Sequence, residues 1–361
     1  MKVTIVAGAR PNFMKVAPII RQIQAEEGVE YRLVHTGQHF DHNMSGSFFA
    51  DLNIPLPDAN LGCGSGSQAQ QTASIMTGFE AELYANRPDL VIVVGDVNST
   101  MACAITAKKM HIRVAHVEAG IRSGDMKMPE EINRIVTDSI CDDFFVTTIE
   151  AMETLIKEGH DTNKIHFVGN VMIDTLVDRL PHLVQPECAK PFNRYLVVTL
   201  HRPSNVDNPF LLRTQLDAIM DGANGVPVIF PVHPRTRKAI EAIEYSAQDL
   251  VMVEPMGYLE FMHLVKNAAG VITDSGGVTE ETTFLNVPCM TLRTTTERPE
   301  TVRIGTNMLV ENDRDKIKMH VSHMAEGVWK MGRKPKLWDG CSAERIVATI
   351  RNFDLKPACE I

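Results

Sequence analysis

The run Asp274-Ser275-Gly276-Gly277-Val278-Thr279-Glu280-Glu281 gathers groups that can hold both a phosphate and a diol. An apolar, strand-like stretch from Ala268 to Thr273 feeds into it, and the residues after the Ser-Gly-Gly turn read as a helix. Glycine lets a ligand approach the backbone closely. The N–H groups and positive dipole end of a helix favour an anion such as a diphosphate. Glu280 and Glu281 fall within the first turn or so, placed to accept hydrogen bonds from sugar hydroxyls. A turn that offers N–H groups to phosphate and carboxylates to a diol suits a nucleotide sugar. The same residues also make an ordinary strand-to-helix turn with helix-favouring glutamates, so the weight falls on what accompanies them.

Chemistry-bearing residues follow strands along the whole chain. Asp96 comes after Leu90–Val94, and His116 and Glu118 bracket the end of Val114–Val117. His201 and Arg202 come after Tyr195–Leu200, and His233 after Val228-Ile229-Phe230. Exposure of strand ends accounts for any one of these, but poorly for the whole set. Gly8-Ala9-Arg10-Pro11-Asn12-Phe13-Met14-Lys15 follows the first strand, and Pro11 suits the first position of a helix. Arg10 then stands at the helix start and Lys15 about one turn on, a second corner for an anion. The Gly-Lys-Ser/Thr ending of a Walker A loop is missing. Gly62-Cys63-Gly64-Ser65-Gly66 follows a Pro/Asn-rich coil rather than a strand and reads as a loop. His35, His39 and His42 have no regular spacing and read as loop hydrogen bonders rather than metal ligands. His320 and His323 fall on a charged helix face and read as solvated.

Such residues must be positioned by strands that alternate with helices. Strand candidates are Val3–Ala7, Arg32–His35, Leu90–Val94, Val114–Val117 and Phe144–Thr147, then Tyr195–Leu200, Val226–Pro231, Leu250–Val253, Gly270–Thr273 and Val287–Leu292. Helix-length segments such as Met14–Glu26 and Ala69–Tyr84 separate most of them, which implies parallel sheets covered on both faces. Leu90-Val91-Ile92-Val93-Val94 is apolar throughout, as burial on both faces requires. The two series flank a Pro-rich connection, Leu180–Phe192, and predict two doubly wound domains with a ligand in the cleft between them. The chain of 361 residues is long enough for two cores. Its net charge of −9 argues against a nucleic-acid or acidic-membrane surface, so an anionic substrate needs a locally basic pocket. Seven scattered cysteines without a CxxC pair suit a reducing compartment and no structural zinc. No signal peptide or membrane-length apolar run is evident, and a cytoplasmic enzyme or binding protein is expected.

Taken together, GARPNFMK (8–15), TGQH (36–39), GDVNST (95–100), HVEAGIRSGD (116–125), PEEINR (129–134), HRPSN (201–205), DSGGVTEE (274–281) and TTERPE (295–300) resemble the non-hydrolysing branch of the UDP-N-acetylglucosamine 2-epimerase family. The resemblance spans nearly the whole chain. It implies an α/β architecture of two Rossmann-like, doubly wound domains facing a central cleft, the GT-B type. The expected division is residues 1–170 for the domain with the acid–base carboxylates and 171–342 for the UDP-binding domain. A C-terminal helix, about 343–361 with its helical part at Ala343–Phe353, is expected to pack back on the first domain.

The resemblance also implies the reaction, interconversion of UDP-GlcNAc and UDP-ManNAc at C2 by elimination of UDP to 2-acetamidoglucal and re-addition. The C2 proton has no adjacent carbonyl, so its removal needs both a base and stabilisation of the departing diphosphate. The acid–base candidates are Asp96, Glu118 and Glu130. His201 is assigned to the diphosphate, with Arg10, Lys15 and the Ser275, Gly276 and Gly277 backbone completing the clamp. Glu281 matches the residue that binds the ribose hydroxyls, Phe261 lines the uracil pocket, and His233 and Arg134 are further carry-overs. No cofactor and no metal are implied. The partners expected are the UDP-sugar and a second copy of the chain in a homodimer. Two departures stand out: Ala9-Arg10-Pro11-Asn12 where many members have Thr-Arg-Pro-Glu, and Ser204 before Asn205 where many have Glu. They bear on the second UDP-GlcNAc that many bacterial members bind as an activator, and they leave room for a modified sugar. The other outcomes weighed are the hydrolysing epimerase, a GT-B glycosyltransferase, and a UDP-sugar binding protein without turnover.

Overall fold

The computed structural model describes residues 1–37 and 52–353. His39 and His42 therefore lie outside the described residues, as does the end of the TGQH motif. The chain divides into two compact units, Met1–Asp178 with Lys336–Ile361, and Arg179–Pro335. Each is built on one parallel sheet. The anticipated α/β architecture of two Rossmann-like units is what the chain adopts.

In the first unit the strands are β1 (Lys2–Ala7), β2 (Glu30–His35), β3 (Ala59–Asn60), β4 (Leu90–Val94), β5 (Arg113–Val117), β6 (Asp143–Val146) and β7 (Ile165–Phe167). Their spatial order is β3-β2-β1-β4-β5-β6-β7. The chain therefore winds one way from β1 and the other way from β4, and these two strands are neighbours (Val3 opposite Leu90, Ile5 opposite Ile92). Residues at their carboxyl ends sit at the switch point, where no crossover helix fills the crevice. The helices are α1 (Arg10–Ala25), α2 (Gln68–Ala85), α3 (Asn98–Lys109), α4 (Pro129–Ile140), α5 (Ile149–Lys157) and α6 (Val171–Arg179).

In the second unit the strands are β8 (Leu196–Thr199), β9 (Val228–Pro231), β10 (Leu250–Val253), β11 (Gly270–Thr273), β12 (Cys289–Thr291) and β13 (Asn307–Leu309), in the order β10-β9-β8-β11-β12-β13. Here the switch lies between β8 and β11, with Thr199 opposite Thr273. The helices are α7 (Pro203–Val206), α8 (Pro209–Ala223), α9 (Pro234–Ala242), α10 (Tyr258–Asn267), α11 (Gly276–Leu285), α12 (Pro299–Arg303) and α13 (Arg314–Glu326). Its core joins Leu196, Val198, Phe230, Ile272 and Met290 from the sheet to Leu216 and Ile219 of α8 and Val321 and Met324 of α13.

The last helix, α14 (Ser342–Arg351), belongs to the first unit and packs on α1. Its start is fixed by Asp174 of α6, whose carboxylate accepts from the Ala343 N–H at 2.6 Å, and its end by an Arg351–Glu26 ion pair. Trp338, 2% exposed, donates to the Thr147 carbonyl. Gly169, at φ +93°, allows this return: a Cβ there would lie 2.1 Å from the Leu337 carbonyl oxygen.

Strands β3, β7 and β13 are absent from the strands anticipated from the sequence. They are two- or three-residue edge strands, too short to carry a periodic pattern. The last strand candidate, Val287–Leu292, shrinks to Cys289–Thr291, because Pro288 has no N–H to give the ladder. Among the described residues no helix is long and apolar enough to cross a membrane. The Gly62–Gly66 stretch runs as a largely exposed loop.

Candidate functional site

The first unit concentrates its polar groups where β1, β4 and β5 end. Asn12 ties two of these ends together. Its side-chain oxygen accepts from the N–H groups of Gly8 and Ala9 at 3.1 and 2.9 Å, and its amide donates to the Val94 carbonyl at 3.0 Å. One turn along α1, Lys15 is buried and meets the Glu118 carboxylate at 2.5 Å. A cation near the positive end of a helix is unfavourable by itself, and the Glu118 charge offsets it. Glu118 is 3% exposed and has φ +71°, a left-handed conformation costing a non-glycine residue about 1–2 kcal/mol. Its N–H, with that of Ala119, donates to the Phe145 carbonyl, so the chain after β5 bends across the end of β6. Strain of this kind, held by a buried ion pair, makes Glu118 a candidate for a functional residue.

Gly95 links this pair to Asp96. It has φ +69°, and a Cβ there would lie 2.8 Å from Lys15 Nζ and 3.8 Å from Glu118 Oε2. The Gly95 carbonyl accepts from His116 Nε2 at 2.8 Å, while His116 Nδ1 meets Asp138 at 2.7 Å. Asp138 also accepts from Gly120 N–H and Arg122. Burial would raise the Asp138 carboxyl, but His116 and Arg122 outweigh it and hold it below the usual carboxylate range. Gly95→Ala is expected to cost about 1–2 kcal/mol from the positive φ alone and to push Lys15 off Glu118. Thermal unfolding and steady-state turnover check this, with turnover falling more than the modest stability loss accounts for.

Asp96 is fixed from α4. Arg134, 5% exposed at its side chain, reaches Asp96 Oδ2 at 2.5 Å, and Asn133 donates to the Asp96 carbonyl at 2.9 Å. Glu131 anchors Arg134 at 2.9 Å and accepts from the Ser123 and Gly124 N–H groups at 2.8 Å each. Burial opposes the ionised Glu131 carboxylate, yet these donors hold its pKa below the usual value. Glu131 is thus the inward carboxylate of the Glu130-Glu131 pair, and Glu130 sits half-buried in the first turn of α4. The part played by Glu131 was not read from the sequence. Arg134 three residues on was the available signal, since positions three apart share a helix face.

In the second unit the organiser is Asp274, fully buried at the end of β11. Its carboxylate accepts from His201 N–H, Arg202 N–H and Asn205 Nδ2 at 3.0, 2.9 and 3.1 Å, and meets His201 Nδ1 at 2.8 Å. Burial would raise this carboxyl; His201, the Arg202 N–H and Asn205 hold it low instead. With Nδ1 directed at Asp274, the half-exposed His201 ring presents Nε2 as a candidate ligand contact. Ser275 caps α11, and Gly276 and Gly277 are its first residues, so the free N–H groups of the helix head lie directly beside the His201 loop.

Of the adjacent glutamates, Glu280 pairs with Arg298 at 2.7 Å. The Glu281 carboxylate accepts from Tyr258 at 2.9 Å. Burial pushes the Glu281 carboxyl up to about 8, the Tyr258 hydroxyl partly offsets this, and Glu280 adds to it. A raised folded-state pKa means that the protonated form favours folding. This stability is fully present below about pH 4.5 and is lost as pH rises through about 8. Glu281→Gln should lack that decline. Urea unfolding at about pH 5 and 9 checks it, the wild type losing on the order of 3–4 kcal/mol that the variant keeps.

The remaining positions are spread over both units. Arg10 is the first residue of α1. His233 caps α9, its Nδ1 accepting from the Arg235 N–H at 3.3 Å. Phe261 is half-buried on α10, one turn from Tyr258. His35 is buried, with Nδ1 3.0 Å from the Ala7 carbonyl and its ring edge-on to Phe13. Burial lowers its pKa, against the Ala7 hydrogen bond.

Two Rossmann-like units with their polar residues at the switch points form the architecture of GT-B-like nucleotide-sugar enzymes. The chain belongs to the UDP-N-acetylglucosamine 2-epimerase family, whose model matches residues 21–351. It is 41% identical over 361 residues to the UDP-N-acetylglucosamine 2-epimerase of Methanocaldococcus jannaschii, covering 96% of this chain and 98% of that relative. It is 40% identical over 320 residues to the UDP-2,3-diacetamido-2,3-dideoxy-D-glucuronate 2-epimerase of Pseudomonas aeruginosa, covering 88% and 90%. The crystal structure of the M. jannaschii UDP-GlcNAc 2-epimerase in complex with UDP-GlcNAc and UDP superposes with a TM-score of 0.86 over 97% of this chain and 99% of that one, at 40% identity.

Proposed function

We propose that this protein interconverts UDP-GlcNAc and UDP-ManNAc without hydrolysis, by elimination and re-addition of UDP. The Lys15–Glu118 pair beside Gly95-Asp96 carries the reading, because elimination at an unactivated C–H needs a fixed base. In the forward direction a carboxylate of the set Asp96, Glu118 and Glu130 takes the C2 proton. The C2–H electron pair becomes the C1=C2 bond of 2-acetamidoglucal, and the C1–O pair leaves with UDP. A proton delivered to the opposite face of C2 and return of the UDP oxygen to C1 complete the exchange. The head of α11, His201, Arg10 and Lys15 take the diphosphate charge, Glu281 the ribose, and Phe261 the uracil, with His233 and Arg134 in support.

Incubation with UDP-GlcNAc in D2O, followed by proton NMR, tests this. UDP-ManNAc carrying deuterium at C2 is the expected product. Free ManNAc with UDP would place the chain in the hydrolysing branch. A second reading, a diacetamido-uronic acid sugar as substrate, is favoured by the P. aeruginosa relative, which is as similar over its matched length as the UDP-GlcNAc epimerases. Unchanged UDP-GlcNAc alongside turnover of UDP-2,3-diacetamido-2,3-dideoxy-glucuronate would select it.

A further inference from the structure

The segment after β12 brings an acid to the head of α11. Arg293 and Glu297, four residues apart, pair at 2.9 Å with side chains only 8% and 11% exposed. The other carboxylate oxygen, Oε1, lies 4.0 Å from Arg202 Nη2 and 2.9 Å from the point where a Cβ on Gly276 would stand. Arg202 is itself anchored to the β11 end, its Nε donating to the Asp274 carbonyl at 2.9 Å. A buried carboxylate therefore stands against the first residue of α11, between two guanidinium groups. These are the positive elements that a diphosphate entering at this helix head would use. With Glu297 the two arginines carry one net positive charge, and without it two.

We propose that Glu297 is a counter-anion gate on the diphosphate site. In the empty protein its charge is matched by Arg293, Arg202 and the α11 head. A bound diphosphate takes over those partners and is repelled by the carboxylate, so Glu297 weakens UDP retention and speeds its exchange. The gate rests on the assignment of the α11 head to the diphosphate. A purely structural role, in which Glu297 merely pins the 293–298 segment, predicts the opposite sign, because loosening that segment weakens the ligand.

UDP binding to the full-length chain, by titration calorimetry and stopped-flow displacement, tests the sign. Glu297→Gln is expected to tighten UDP about tenfold, the order of effect of removing one nearby charge from a partly screened site, and to slow its release. Arg293→Gln leaves Glu297 less compensated and is expected to weaken UDP by a similar factor. Uridine, which lacks phosphate, should bind all three chains alike. Equal or weaker UDP binding by Glu297→Gln overturns the gate. If that variant fails to fold, unchanged or tighter binding by Arg293→Gln overturns it. Loss of the phosphate assignment is distinguishable, because then the wild-type chain itself would bind UDP no better than uridine, and the gate falls with it.

Discussion

Replacing Glu118 by glutamine is expected to lower turnover of the UDP-sugar by about 10³-fold or more, while UDP affinity stays within about threefold of wild type. The asymmetry follows from the roles proposed: Glu118 takes the proton, whereas the α11 head, His201, Arg10 and Lys15 take the diphosphate charge, and the substitution leaves all of these in place. Glutamine keeps the size of the side chain and an oxygen for Lys15 Nζ, but it cannot take a proton from carbon. Removing the cation instead separates chemistry from stability. Lys15→Met removes the cation 2.5 Å from a carboxylate that is 3% exposed, and loss of one partner of a buried pair costs about 3–5 kcal/mol. Combining Lys15→Met with Glu118→Gln should recover part of that stability and none of the activity. Single-turnover kinetics with denaturant unfolding on the four chains gives the answer. Glu118→Gln at more than a tenth of the wild-type rate removes Glu118 from proton transfer.

The residues of that pair were legible in the sequence as strand-end and helix-start positions, but the pairing was not. They are 103 positions apart, and only the adjacency of β1, β4 and β5 brings them together. The strands themselves were readable where burial is two-sided. Leu90–Val94 runs over the same five residues in sequence and structure because every side chain there is buried. Short edge strands such as Ile165–Phe167 were not, since propensity over three residues decides nothing and neighbouring backbone does. Polar residues at strand ends announced a site, yet their types left their partners open. Glu280 and Glu281 look equivalent in the sequence. Helix rotation sends one to Arg298 and the other to Tyr258, 23 residues away, and no local pattern encodes that choice. The left-handed backbone at Glu118 was equally hidden, because nothing in His116-Val117-Glu118-Ala119 calls for a positive φ. The carryover from the family therefore named positions, Arg134 among them, and the geometry adds their contacts: Arg134 reaches Asp96, and Glu131, which the carryover did not name, anchors Arg134.

Asp274→Ala is expected to be the most destabilising substitution in the second unit, costing about 3–5 kcal/mol and weakening UDP binding by at least about tenfold. The carboxylate satisfies two backbone N–H groups, the Asn205 amide and the His201 ring from a position with no solvent exposure. Alanine leaves the His201 and Arg202 N–H groups without this acceptor, leaves Asn205 only the Leu292 carbonyl, and loosens the segment from His201 to Asn205 from the end of β11. The His201 ring then loses its orientation and Arg202 its fixed start beside the helix head, so affinity falls together with stability. Asp274→Asn separates charge from shape. One amide oxygen still accepts, but the amide nitrogen now faces donors, and an intermediate loss is expected. The pH dependence gives a further sign. A carboxyl held below its ordinary value contributes stability that is present above about pH 3.9 and lost as pH falls through the folded-state value. Wild type should therefore lose stability on the acid side that Asp274→Asn has already lost, and the two urea-unfolding curves should draw together as pH falls below about 3.9. Parallel curves across that range would show that Asp274 is not the ionised anchor of the His201 loop.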